Sequence, residues 1–229
     1  MSKNIEEKQD KVAEEGFASL QNGLNRVEQF FEDNQKPIGI GFLAIIVVFA
    51  LGWLYKTQYV EPQKSEAQAQ MFFAQYSFEA DSFRLALDGD GMNPGFLTII
   101  DEYSSTPAGN LARYYAGVCY LHLGEYDNAK KYLNDFSSDD QILNSYAVGL
   151  IGDAEVELGN EAAAISQFQK AVKFGNKVTA PVFLEKLGNL YEKQGKAEEA
   201  VAAYQQIKDD YPMSPIAQGI DKSINSVKK

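Results

Sequence analysis

The chain has 229 residues, with 21 Lys and Arg against 32 Asp and Glu and a formal net charge of −11. It therefore lacks the cation excess that general nucleic-acid binding needs, while its length suffices for one or two domains with a sizeable core. The single cysteine, Cys119, excludes an internal disulfide, and the single histidine, His122, removes most His-based catalytic and zinc chemistry.

Residues 1–36 form an acidic tail with five Lys or Arg and eight Asp or Glu. Within it Ala13, Phe17, Leu20, Leu24, Val27 and Phe31 follow a 3-4 spacing, which predicts one apolar face of an amphipathic helix. The acidity of the opposite face favours a protein partner over an anionic lipid surface.

Residues 37–55, PIGIGFLAIIVVFALGWLY, carry no charge. About 18 apolar positions at 1.5 Å rise cover about 27 Å, close to the hydrocarbon thickness of a bilayer. Lys36 and Lys56 bracket the run, and Trp53, Tyr55 and Tyr59 cluster at one end like an interfacial belt. The stretch is expected to be a single transmembrane helix, in contact with the lipid bilayer. A buried core helix rarely runs this long without one polar residue, and a cleavable signal peptide fits neither the acidic leader nor the missing A-x-A-like site. The flanking cations balance, Arg26 and Lys36 against Lys56 and Lys64, so charge does not decide orientation. Long domains translocate largely regardless of charge, and the expected topology keeps the short tail inside and the long C-terminal part outside.

Residues 56–109 read as a spacer helix and a degenerate repeat. Residues 64–87 are expected to form one long helix after a break near Pro62, followed by the loop DGDGMNPG and a second helix in FLTIIDEYSS. Asp88, Asp90 and Asn93 are reminiscent of the start of a calcium loop, but Met92 and Ile99 occupy positions that need ligands, which favours a plain turn. No metal or other cofactor is expected. Cys119 reads as a small core hydrophobe, with no basic neighbour to activate it.

Residues 110–213 repeat themselves. Gly117 and Gly124 recur as Gly152 and Gly159, then as Gly188 and Gly195, in steps of 35 and 36 residues. Five residues after each second glycine stands Ala129, Ala164 or Ala200, and four further on Leu133, Phe168 or Tyr204. Tyr120 and Tyr191 follow the first glycine by three residues, where the middle copy has Glu155. The pattern predicts helical hairpins: the first glycine admits close helix approach, and the second permits a left-handed turn. Neither helix can bury its apolar face alone, so stacking supplies the core. Ser214 and Pro215 are a good N-cap and N1 pair for a capping helix over 214–229, with Ile216, Ile220, Ile224 and Val227 along one side.

The segments AGVCYLHLGEYDNAKKYLNDF, IGDAEVELGNEAAAISQFQKA and LGNLYEKQGKAEEAVAAYQQI, with Pro212 after the last, resemble tetratricopeptide repeats. The expected fold class is therefore all-α: one N-terminal transmembrane helix, then a tetratricopeptide-repeat α-solenoid. The resemblance implies that the first helix of each pair lines a concave groove. That places Tyr114, Val118 and His122, then Gly149, Asp153 and Glu157, then Glu185, Asn189 and Lys193 as candidate groove-binding residues. Family members that grip acidic chaperone tails carry Lys, Arg and Asn at such positions; only Asn189 and Lys193 fit, so that ligand is not expected.

A tail, one span, a spacer and repeats to the C-terminus resemble the YfgM-type family of ancillary SecYEG translocon subunits. The resemblance implies a bacterial inner-membrane protein with a cytoplasmic N-terminus and a periplasmic repeat domain. Its partners would be the SecYEG translocon and periplasmic chaperones, with no nucleic acid, no small-molecule substrate and no enzymatic activity. The alternative is a structural scaffold in another cell-envelope assembly or secretion complex.

Overall fold

The structure, a computed structural model, describes residues 33–228 and divides at Glu61 and Pro62 into two compact units. The amphipathic helix expected over Ala13–Phe31 lies outside the described residues.

The first unit holds α1, Gln35–Tyr55, and a π-helical turn, Lys56–Val60. Helix α1 is apolar on every side, and Phe42, Val48, Phe49 and Trp53 are each at least 65% exposed. A helix apolar all round has no solvent-facing side and needs an apolar surrounding. It is the one helix among the described residues long and apolar enough to cross a membrane. Tyr55 and Tyr59 stack with ring centroids 5.4 Å apart at its end. The π turn, closed by the Glu61 N–H on the Lys56 carbonyl, falls just before Pro62. Proline has no N–H for the carbonyl four residues back, and widening the preceding turn accommodates that loss.

The second unit is an all-helical solenoid of stacked helix pairs, with no β-strand among the described residues. Its helices are α2 (Glu61–Glu79), α3 (Phe83–Asp88), α4 (Phe96–Glu102), α5 (Pro107–His122), α6 (Tyr126–Asn134), α7 (Gln141–Glu157), α8 (Glu161–Lys173), α9 (Ala180–Lys193), α10 (Ala197–Asp210) and α11 (Ile220–Val227).

Three hairpins, α5–α6, α7–α8 and α9–α10, carry the sequence repeat. The first glycine of each sits against the second helix. A Cβ added at Gly117, Gly152 or Gly188 would lie 2.5 Å from Leu133, 2.6 Å from Phe168 or 2.2 Å from Tyr204. The second glycines, Gly124, Gly159 and Gly195, have φ of +73°, +77° and +71°. Each closes its helix through a bond from the next N–H to a carbonyl five residues back: Glu125 to Tyr120, Asn160 to Glu155 and Lys196 to Tyr191, at 2.8–2.9 Å.

Side chains also fix the helix starts. The Thr106 hydroxyl accepts from the Gly109 N–H at 3.0 Å ahead of Pro107, and Asp140 accepts from the Ile142 N–H at 2.7 Å. Between repeats, Asn110 donates to the Ser137 carbonyl, and the buried Ser145 and Thr179 hydroxyls meet at 2.6 Å. Glu155, the middle copy's departure, is buried and pairs with Lys130 of the preceding repeat at 2.9 Å. Burial works against its charge, but the bonds from Lys130 and Asn160 outweigh it and hold the carboxyl below its usual range.

Two stretches differ from the sequence expectation. The long helix over 64–87 is broken at Asp81, which has φ +54°, and the Ser82 N–H closes on the Ser77 carbonyl at 2.9 Å. This is the same helix stop as the glycine ones, with aspartate tolerated in the left-handed position. The final helix is also interrupted: a 3-10 turn, Ile216–Gln218, precedes α11, with Gly219 between them. In the loop before α4, the Asp90 carboxylate accepts from the N–H groups of Met92 at 2.9 Å and Asn93 at 2.7 Å. The Asn93 backbone bond is the main reason that the Asp90 carboxyl lies below its usual range.

Candidate functional site

The expected groove residues lie on the first helices of the three repeat pairs, α5, α7 and α9. The structure gathers some of them and separates others. Asp153, Asn189 and Lys193 come together around a shallow depression of about 240 Å³ between α7 and α9, with Val156 and Phe168 also in its lining. Lys186 completes it, its Nζ donating to both Asp153 oxygens at 2.6 Å while standing 5.9 Å from the Phe168 ring centre. Burial pushes the Asp153 carboxyl up, and the Lys186 bonds only partly oppose it. Asn189 accepts from the Tyr204 hydroxyl at 2.7 Å, and burial pushes that phenol up to about 12. Lys193 pairs with Glu161 at 3.1 Å.

Glu157 and Glu185 flank this region on the same two helices, and Glu157 accepts from the Tyr126 hydroxyl at 3.4 Å. Towards the other end, His122 is covered on one face by Phe83 of α3, the rings stacked 4.1 Å apart. Tyr114 packs on Phe136 at 5.4 Å, and burial raises its phenol. Val118 is half-buried. Gly149, placed in the groove by the repeat register, is buried: a Cβ there would lie 1.9 Å from the Phe183 ring. It serves the close approach of α7 and α9.

Sequence reasoning missed Lys186, although it stands 33 residues after Asp153, close to the repeat step. It also missed the Arg84–Glu125 pair, which joins α3 to the turn after α5. A larger depression of about 750 Å³ opens where the turn before α9 meets the segment after α10, lined by Val178, Val182, Pro212 and Ile216 among others. Met213 on its rim is 93% exposed. A depression of about 490 Å³ occupies the corresponding place around Leu111 and Asp139. Among the described residues, no group of three or more His, Cys, Asp or Glu is placed to hold a metal ion. Polar rims around small apolar floors suit reversible contact with another protein surface.

A profile of the family described as "Tetratricopeptide repeat-like domain" matches residues 28–228. No curated protein sequence matches the chain. Among solved structures, the chain is similar to the nearly identical tetratricopeptide-like repeats described as those of a kinesin light chain from Podosopora anserina. The TM-score is 0.55 at 12% identity, over 72% of this chain and 85% of that one. Two structures of MamA match at 16% and 19% identity, covering 70% and 58% of this chain and 89% and 86% of theirs, with TM-scores of 0.49 and 0.41. At such identities the first match speaks to the fold alone.

Proposed function

The chain belongs to the tetratricopeptide repeat-like domain family, and from that premise we propose that it is a membrane-anchored adaptor that binds proteins through its repeat domain and catalyses nothing. The fold is typically a non-catalytic interaction module, so its partners are proteins. The finer reading is an ancillary subunit at the SecYEG translocon of a bacterial inner membrane. There α1 is the anchor, the N-terminus is cytoplasmic, and the repeats face the periplasm and its chaperones. The observation that carries the reading is the pairing of an outwardly apolar helix, α1, uncharged over residues 37–55, with a family repeat domain on one chain. Anchoring beside a partner raises its effective concentration, so the shallow contacts around Asp153 and Asn189 suffice.

Two experiments test this. Protease added to spheroplasts is expected to digest the repeat domain; removal of only the first 36 residues would show the reverse orientation. Purification of the tagged chain in mild detergent is expected to bring translocon subunits and periplasmic chaperones with it, and their absence would reject the translocon assignment.

A further inference from the structure

Helix α2 is apolar on two opposite faces. On one, Ala67, Met71 and Ala74 are at most 1% exposed in the core, and half-buried Phe78 follows in the same row. At about 100° per residue the opposite side carries Pro62, Ser65, Ala69, Phe72 and Tyr76. All five are exposed, Phe72 at 74% and Tyr76 at 64%. Lys64, Gln68 and Gln75 run along one flank between the two rows, and Glu66 and Gln70 along the other, with half-buried Phe73 at its edge beside the exposed row. A helix with two apolar faces separated by polar lanes is built to lie between two neighbours. The solenoid core supplies one of them. The other end of the array is finished differently: α11 turns Asp221, Lys222, Asn225 and Ser226 outward, as a terminal cap should.

We propose that the second neighbour of α2 is α2 of another copy of this chain, paired in parallel along Pro62, Ser65, Ala69, Phe72 and Tyr76. The row alternates steps of three and four, the spacing of a two-helix seam, and no position in it is charged. Ser65 and Ala69 let the backbones approach, and Phe72 and Tyr76 then meet their own counterparts as aromatic layers. The inference rests on the reading of α1 as a membrane anchor. Two copies of one anchor start their α2 helices at the same height, so the in-register pairing comes without a search. Confinement to one bilayer lets a short seam suffice.

The test uses the full chain in phosphatidylethanolamine–phosphatidylglycerol vesicles. Cys119 is buried with its thiol pushed up to about 12, so the wild type reports background oxidation. Ser65→Cys and Ala69→Cys are expected to give disulfide-linked dimer under mild oxidation, about tenfold more than Asn225→Cys on α11. Adding Phe72→Glu and Tyr76→Glu to Ser65→Cys is expected to remove that excess without changing the melting temperature, since both side chains are exposed. Equal yields from Ser65→Cys and Asn225→Cys, or an undiminished yield with the two glutamates, would overturn the pairing. Alkaline carbonate extraction separates the two readings. Release of the chain rejects the anchor, whereas retention without cross-linking rejects the pairing alone.

Discussion

Gly188 has no room for a methyl group, because a Cβ would stand 2.2 Å from the Tyr204 ring, itself fully buried. Gly188→Ala is expected to cost about 1–3 kcal/mol by overpacking. Gly195→Ala is expected to cost about 1–2 kcal/mol for a different reason, its φ of +71°. Urea unfolding reads both, and a Tyr204→Leu background should relieve the first cost and leave the second. These glycines were legible in the sequence because each answers a backbone demand that recurs at a fixed step. The partner of Glu155 was not, since Lys130 lies on the preceding repeat with no local spacing to mark it. The Glu155 carboxyl is held below its ordinary value in the fold, so its stabilisation is present above that value and is lost as pH falls through the folded one. Glu155→Gln should therefore cost about 1–3 kcal/mol at pH 7, and progressively less as the pH falls below about 4. Asp153 has the opposite sign: burial raises its carboxyl, so its charged form weighs against folding as pH rises through the raised value.

Element boundaries were legible where the chain punctuates itself with glycine, proline or a capping hydroxyl, as at Thr106–Pro107 before α5. They were not legible where an ordinary residue does the same work. Asp81 ends α2 in a left-handed conformation, and nothing in the Ala80–Asp81–Ser82 stretch marks it as strongly as a glycine would. A β-branched side chain tolerates that conformation least. Asp81→Val is expected to destabilise the domain by about 1–2 kcal/mol, while Asp81→Gly should be neutral or mildly stabilising; thermal melts of the two variants check this. The repeat register also predicts which helices face together but not which side chains the packing absorbs. Gly149, Tyr114 and His122 all hold positions equivalent to groove residues. Phe183 of α9 takes up Gly149, Phe136 of the segment after α6 packs on Tyr114, and Phe83 of α3 covers one face of His122, which stays exposed on the other.

At the scale of the whole molecule, the acidic composition covers two parts of different character. Helix α1, uncharged over residues 37–55, exposes apolar side chains on all sides, and a helical repeat domain has its core between stacked pairs. The repeat fold is what the family match and the structural likeness carry; the anchor and its setting are what the apolar helix adds as a proposal. The central claim is that the face between α7 and α9 recruits a protein partner to the membrane. Its most direct test is quantitative co-purification from membranes with wild type and an Asn189→Ala, Lys193→Ala double variant, both side chains being exposed. The account predicts that the variant stays folded and membrane-bound but loses most of the partners that wild type retains. An unchanged partner list at unchanged yield would contradict it.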